Sequence, residues 1–362
     1  MKIAFFFPMG GGLSELKKSG QLTRFEKTEL SEYVKSFNKI TLFSYLNESQ
    51  KLYKKIKLLG NKKSLHRYVY AFLMPFIYAK EIREADVLRG SQLISTIPCI
   101  VSKIIFGKKF VFNYAYDHAE FSKIEGDVAR ALILKLWEAI AVRLADGITA
   151  ATSVLKNRLQ NINRNTIFLP NGVDLDLFKI KKKQNNKTTR LLFVGRLEKQ
   201  KNLENFLLGV KRLNRKNVEV EVIGEGSLKA KLERLAKSLG LNVVFLPYIE
   251  NEKLLDYYYR ADIFVLSSFA EGSPKVMLEA QATGTPVIAN KNFARSLIKD
   301  GITGILCESN PKSITNALQK LVRNTKLRKT IANNARQEIE KNYDIKKIMQ
   351  TEIKFLKKIA YA

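Results

Sequence analysis

Cysteine and histidine are nearly absent, with two of each in 362 residues. Cys99 and Cys307 stand too far apart to build a disulfide framework, and His66 and His118 leave too few ligands for a zinc cluster or a His-rich metal site. A reducing compartment is therefore expected. Long hydrophobic runs are missing too. The longest near-apolar segment, residues 68–79, contains Pro75, is bounded by Arg67 and Lys80, and falls short of the roughly 18 residues that span a bilayer. The first apolar run, residues 3–7, ends at Pro8 and three glycines, unlike the core of a secretory leader. These absences point to a cytoplasmic protein, soluble or peripheral on the inner face of the cell membrane.

Acid is the other scarcity: 34 Asp plus Glu against 63 Lys plus Arg, a net charge of +29. Such an excess asks for an anionic counterpart, whether nucleic acid, an anionic membrane or a phosphorylated substrate. What is plentiful is apolar material. At 46% hydrophobic, the chain is neither disordered nor collagen-like, and its length suits two ordinary domains.

The pattern along the chain alternates strand and helix. In the first half, strands are expected at residues 3–7, 40–44, 87–88, 110–114, 147–151 and 166–169, with helices near 14–37, 91–105 and 127–144. Residues 179–190, KIKKKQNNKTTR, read as a polar, basic linker. The alternation then restarts with strands at 191–194, 218–223, 243–246, 263–267 and 286–289, helices between them, and a terminal helix from Ile345. The fold class is α/β, with two doubly wound, Rossmann-like domains whose parallel sheets face an interdomain cleft. The expected division is 1–175 for the first domain, 176–190 for the linker, 191–342 for the second domain, and 343–362 for a terminal helix.

Candidate chemistry lies in loops after strands. Gly195 permits a tight turn, and a helix start beyond it, with Arg196 and Lys201 at its edges, suits an anion. A solvated basic helix start is the plainer alternative. After the strand at 263–267 comes FAEGSPKVMLEA, with Glu271 in the loop and Pro274 fitted to a first helical turn. Glu279 lies in the mostly apolar helix that follows, where a carboxylate reaches a ligand or pairs with a buried cation.

Four stretches carry a resemblance: PNGVDLDLF from Pro170, FVGRLEKQKN from Phe193, VIGEGSLKAKLERLA from Val222, and ADIFVLSSFAEGSPKVMLEAQATGTPVIA from Ala261. In this order and spacing they resemble glycosyltransferase family 4, the group-1 retaining transferases of GT-B architecture. The resemblance implies that Arg196 and Lys201, with Gly195, hold a donor diphosphate. It also implies that Glu279 binds the nucleotide ribose, and that Glu271 with Gly272, Ser273, Pro274, Lys275 and Val276 contacts the donor sugar and phosphates. It implies no metal and no cofactor, the cationic side chains taking the place of a cation beside the leaving diphosphate.

The first half is read less directly. Gly11 and Gly12 follow the first strand, where the family carries a loop against the donor phosphates; a plain turn is the alternative. His118 stands near the family's active-site histidine, but the adjacent Asp117 leaves the register open. Asp174 and Asp176 form a D-x-D that can share a divalent metal, yet their place before the linker favours interdomain structure. Residues 51–80 combine many lysines with an aromatic run and no acid, a pattern suited to an anionic membrane or to a solvated loop feeding a core helix.

The expected activity is transfer of a sugar from a nucleoside-diphosphate donor to a hydroxyl of a glycan or lipid-linked saccharide, in cell-surface polysaccharide or glycoconjugate biosynthesis. His118, Glu271, Arg196 and Lys201 are the expected catalytic residues. The rivals are a non-catalytic or partner-dependent homologue, a sugar-nucleotide epimerase, and a basic nucleic-acid-binding protein, which would leave both glutamates unexplained.

Overall fold

The structure is a computed structural model that describes residues 1–49, 53–181 and 188–362. It divides into unit 1, Met1–Pro170 with Lys346–Ala362, and unit 2, Asn171–Ile345. The division runs through the PNGVD stretch, ahead of the expected boundary at residue 175. The reason is packing: Val173 and Phe178 are buried in the core of unit 2. Residues 182–187 of the expected linker lie outside the described residues, and the first strand of unit 2 already begins at Thr189.

Unit 1 carries a seven-stranded parallel sheet of order β3-β2-β1-β4-β5-β6-β7. Its strands are β1 (Lys2–Phe6), β2 (Lys39–Phe43), β3 (Ile56–Leu59), β4 (Val87–Ser91), β5 (Phe110–Tyr114), β6 (Gly147–Ala150) and β7 (Thr166–Phe168). The near-continuous apolar strands match a sheet covered on both faces. The connections from β3 through β7 cross the sheet in one direction and β1–β2 in the other. Right-handed crossovers therefore place the helices between β3 and β7 on one face and those between β1 and β2 on the other. The side chains of β1 obey this. Phe5 packs against Phe25 and Tyr33, while Phe6 stacks on Phe43 and shares a core with Tyr70 and Met74 of the Arg67–Ile77 helix.

The terminal Ile345–Tyr361 helix lies on the Tyr33 face, where Glu352 accepts from the Tyr33 hydroxyl at 2.9 Å and from Arg89 Nε at 3.0 Å. Burial works against the Arg89 charge, but Glu352 beside it holds the guanidinium above its ordinary pKa. A Cβ at Gly147 would stand 2.7 Å from Phe355, so the helix needs glycine there to come this close.

Unit 2 has a six-stranded parallel sheet of order β10-β9-β8-β11-β12-β13. Its strands are β8 (Thr189–Val194), β9 (Val218–Ile223), β10 (Val243–Leu246), β11 (Ile263–Leu266), β12 (Val287–Asn290) and β13 (Ile305–Cys307).

Several expectations need correction. The single helix at 14–37 is broken into Leu13–Lys18, Leu22–Arg24, a π-turn and Ser31–Ser36, with Gly20 at φ +59 in the first break. Ser91 ends β4, and the next helix starts at Thr96. Residues 51–80 are not one piece. Lys51 lies outside the described residues, β3 follows as a partly exposed edge strand, and the aromatic run forms the Arg67–Ile77 helix.

Candidate active site

In a doubly wound sheet, loops diverge where the strand order reverses and leave a crevice at the strand carboxyl ends. In unit 2 the reversal falls between β8 and β11. The loops after these two strands carry Gly195 to Lys201 and Glu271 to Lys275, so the fold brings the two strongest sequence signals together.

They are joined by specific bonds. The Gln200 side chain donates to the Ala270 carbonyl, Phe269 N donates to Gln200 O at 2.8 Å, and Asn202 Nδ2 donates to Ser267 O at 3.1 Å. Lys201 Nζ reaches Glu271 Oε1 at 2.5 Å, and Ser268 Oγ donates to the same oxygen at 2.6 Å. The two ion-pair side chains are 12% and 11% exposed, so the pair is largely shielded from water. Lys201 closes a short 3-10 turn, Lys199–Lys201, and Asn202 takes a left-handed φ of +54 before the Leu203–Leu213 helix. The helix beyond Gly195 thus starts at Leu203, with Lys201 in the turn before it. Arg196 sits exposed on the bend after Gly195.

A third loop supports the first. Gly195 N donates to Ile223 O at 3.0 Å and Leu197 N to Glu225 O at 2.8 Å. A Cβ on Gly224, whose φ is +145, would lie 2.0 Å from Gly195 O, and one on Gly226 would lie 2.5 Å from Leu197 O. Only glycine permits this approach. Ser227 then donates its amide and hydroxyl to Glu198 at 2.8 and 2.6 Å, which holds that carboxyl below its usual range. Sequence reasoning quoted the VIGEG stretch but assigned it no role; the paired glycines were the available signal.

Glu279 lies inside the Lys275–Ala282 helix and is 3% exposed. Its oxygens accept from Asn251 Nδ2 at 2.9 Å and Tyr258 Oη at 3.0 Å. Both partners are neutral, so the buried-cation alternative does not describe its hydrogen bonding. Two donors leave part of a carboxylate's acceptor capacity of about four lone-pair sites. Asn251 and Tyr258 were missed because they lie on a different loop and helix. Pro274 is the N-cap of this helix, not a first-turn residue. Ser273 is buried and engaged by Asn171, whose backbone amide donates to Ser273 Oγ at 3.1 Å and whose side chain donates to Ser273 O at 2.5 Å. Gly272, Lys275 and Val276 are half-buried around it.

In unit 1 the strand order reverses between β1 and β4. Gly10 to Gly12 follow β1 and line a pocket of about 350 Å³ with Pro8, Glu15 and Arg67. The amides beyond them are not left to a phosphate. Glu48 accepts from Leu13 N and Ser14 N at 2.8 Å each, and a Cβ at Gly12 would meet Ser44 Oγ and Glu48 Oε1 at 2.2 and 2.4 Å. Burial pushes the Glu48 pKa upward, but hydrogen bonds from Ser14, Ser44 and the amides hold it below the usual range. Gly11 turns the chain by donating to Pro8 O at 2.8 Å. The glycines thus make a turn closed by a carboxylate of the same unit. After β4, Gln92 holds a φ of +74, a strained conformation at the reversal point that the sequence did not signal.

The structure separates Asp117 from His118. Asp117 is the N-cap of the His118–Glu125 helix, accepts from Glu120 N at 3.0 Å and pairs with Arg158 at 2.7 Å. His118 is 7% exposed, lies against Tyr116 at 4.2 Å between ring centroids, and leaves its buried Nε2 without a hydrogen-bond partner. Burial lowers its pKa from 6.5 to about 4, so the imidazole is neutral near pH 7. Unfolding therefore takes up a proton between these values. His118 contributes stability above about pH 6.5 that is lost as pH falls towards 4, up to about 3 kcal/mol. Urea denaturation at pH 7 and pH 4.5 should show a difference about 2 kcal/mol smaller in His118→Gln than in the parent. An equal difference would contradict the buried neutral assignment.

The D-x-D pair is turn structure. Asp174 Oδ1 accepts from Asp176 N at 3.0 Å and Leu177 N at 3.2 Å. Among the described residues, no three His, Cys, Asp or Glu side chains come together as a metal site.

Two parallel-sheet, Rossmann-like units with loops converging at the reversal points define the GT-B class, and the structural neighbours are GT-B glycosyltransferases. Sucrose-phosphate synthase from Thermosynechococcus elongatus superposes with a TM-score of 0.82 at 16% identity over 99% of this chain and 98% of that one. Anabaena Alr3699/HepE in complex with UDP gives 0.75 at 17% over 99% and 100%.

Residues 176–338, most of unit 2, match the family Glycosyl transferases group 1. A Campylobacter jejuni relative, GalNAc-alpha-(1->4)-GalNAc-alpha-(1->3)-diNAcBac-PP-undecaprenol alpha-1,4-N-acetyl-D-galactosaminyltransferase, is 32% identical over 49% of this chain. The match spans only 50% of that relative's length. The capsular polysaccharide biosynthesis glycosyltransferase CapM of Staphylococcus aureus is 25% identical over 90% of this chain and 89% of its own. The similarity to group-1 glycosyl transferases is thus carried by residues 176–338, and the chain spans about half the length of the first of these relatives.

Proposed function

We propose that the chain is a retaining, family 4 type glycosyltransferase that moves a sugar from a nucleoside-diphosphate donor to a hydroxyl of a glycan or lipid-linked saccharide. The observation that carries this reading is the bonded convergence of the Gly195 to Lys201 and Glu271 to Lys275 loops at the strand-order reversal of unit 2. Arg196, Lys201, Glu271 and Glu279 all lie on the loops and the helix that follow β8 and β11. Arg196 and Lys201 take the diphosphate, Glu279 takes the ribose hydroxyls on its remaining acceptor sites, and Glu271 with the backbone of 272–276 takes the sugar. Relatives named for undecaprenol-linked and capsular saccharides favour an acceptor of that kind.

In the reaction the C1–O bond to the diphosphate breaks and the leaving group keeps the electron pair. The acceptor oxygen bonds to C1 on the same face, and its proton passes to the leaving diphosphate. Charge gathers on that diphosphate in the transition state, so fixed cations beside it lower the barrier. Arg196 and Lys201 supply that charge in place of a metal. In unit 1, His118 offers a neutral, unpartnered Nε2 to a sugar hydroxyl. The test is nucleoside-diphosphate release from candidate donors, with NMR of the product anomer. Release with retained configuration supports the proposal. Release with inversion overturns retention, and no release from any donor in the presence of saccharide acceptors overturns transfer.

A further inference from the structure

We propose that unit 1 docks onto an anionic lipid bilayer through the outer surface of three neighbouring helices, Arg67–Ile77, Thr96–Phe106 and Val128–Leu144. All three lie on the sheet face opposite the terminal helix. Thr96–Phe106 sits between the other two, touching each, and Trp137 Nε1 donates to Thr96 Oγ1 at 3.0 Å. Their inner sides are ordinary core: Met74, Cys99, Ile100, Leu134 and Val142 pack into one cluster with β1, β4 and β5.

Their outer sides are also apolar. Tyr68, Phe72 and Phe76 recur four apart with exposures of 47%, 55% and 46%. Val128, Leu132, Leu136 and Ile140 do the same at 59%, 59%, 70% and 46%, and Ile104 between the stripes is 70% exposed. Spacing of four puts each series along one helix side. Scattered exposed apolar residues are ordinary, but aligned stripes on adjacent helices mark an interaction surface.

Charge selects the partner. The Arg67–Ile77 and Thr96–Phe106 helices contain no acid. The one acid of the third, Glu138, is held by Arg158 at 3.1 Å and by the Tyr114 hydroxyl. Arg67, Arg130, Lys135 and Arg143 stand exposed on these helices, and Lys62, Lys63 and Lys80 flank the first. Basic side chains around aromatic and aliphatic ones suit an anionic leaflet. A second copy would bring a like-charged surface and a net charge of +29 against itself. Nucleic acid would answer the charge but leave the aliphatic stripes unused. No described helix is long and apolar enough to cross a membrane, so docking here is at the surface.

The test is co-sedimentation of the full chain with phosphatidylcholine vesicles, with and without phosphatidylglycerol. Binding to the anionic vesicles should exceed binding to pure phosphatidylcholine by about tenfold or more. Leu132→Ser/Leu136→Ser and Phe72→Ser/Phe76→Ser should each lower it about tenfold while circular dichroism and donor affinity stay unchanged. Arg130→Gln/Lys135→Gln, which keeps the apolar stripes, should reduce the preference for the anionic lipid. Equal binding to both vesicles, or undiminished binding by both serine variants, would overturn the proposal. So would a dimer in sedimentation velocity that the same variants dissolve, or vesicle-free binding to RNA that they abolish.

Discussion

Replacing Lys201 by alanine should, on the proposed function, lower turnover of the nucleotide-sugar donor by about 10²- to 10³-fold, the cost of removing one preorganised charge beside a developing oxyanion. The lysine is preorganised because its loop cannot drift. Lys201 N donates to Glu198 O at 2.9 Å, Ser267 Oγ donates to Lys201 O at 3.1 Å, and the ammonium is steered by Glu271. Nucleoside-diphosphate affinity should fall in the variant, and nucleoside-monophosphate affinity should change much less, because a point charge at the diphosphate matters most where charge is greatest. A purely structural lysine would weaken both alike and shift the melting temperature instead. Turnover within a few-fold of the parent would remove Lys201 from the chemistry.

Glu352→Ala should cost about 3–5 kcal/mol of unfolding free energy, the range for breaking a buried ion pair from one side. Glu352 and Arg89 are only 5% and 8% exposed at the side chain, with Arg89 Nη2 at 3.0 Å from Glu352 Oε1. Removing the carboxylate strands a guanidinium over the Phe5 ring, 4.7 Å from its centroid, and leaves the Tyr33 hydroxyl without its acceptor. Replacing both partners with apolar residues, Arg89→Met/Glu352→Leu, should recover most of the loss, because no charge is then left buried. Urea titrations of the parent, the single variant and the double variant check this. A single-variant cost under about 1 kcal/mol would show that the pair is solvated in solution.

Local signals were the legible ones. Runs such as residues 110–114 and 263–266 are apolar because both sheet faces are covered, and the elements they form stand within a residue or so of expectation. The Lys275–Ala282 helix was visible from Pro274 and the apolar residues after it. β3 was hidden because an edge strand is half-exposed and carries Lys57, which pairs with Glu81, so its pattern reads as a basic loop. β13 is three residues long, too short to show a period. The His118–Glu125 helix did leave a signal, since Asp117 and Glu120 have capping-box spacing. That spacing marks Asp117 as the cap and His118 as the first helical residue.

Contacts between distant segments were not legible. The Arg89–Glu352 pair spans 263 residues, and the Asn251 and Tyr258 bonds to Glu279 cross 28 and 21. A sequence pattern shows that a side is apolar, not whether it faces the core. The outer stripe of the Val128–Leu144 helix is a case in point, because the pattern over residues 127–144 predicts a helix without telling which of its apolar sides meets the sheet. The glycines after β1 show the converse limit, since their sequence fits a phosphate loop and a plain turn equally. Only Glu48, far along the chain, decides what occupies the neighbouring amides.

On the proposed function, the loops at the β8–β11 reversal hold a nucleoside-diphosphate sugar. Calorimetric titration of the full chain with UDP, GDP, ADP and CMP sugars tests it most directly, with Glu279→Ala and Lys201→Ala as paired variants. Binding should be selective for one nucleotide, lost in Glu279→Ala through the ribose contact and weakened in Lys201→Ala through the diphosphate. No binding of any donor to a protein that melts cooperatively, or binding that both variants leave unchanged, would contradict it.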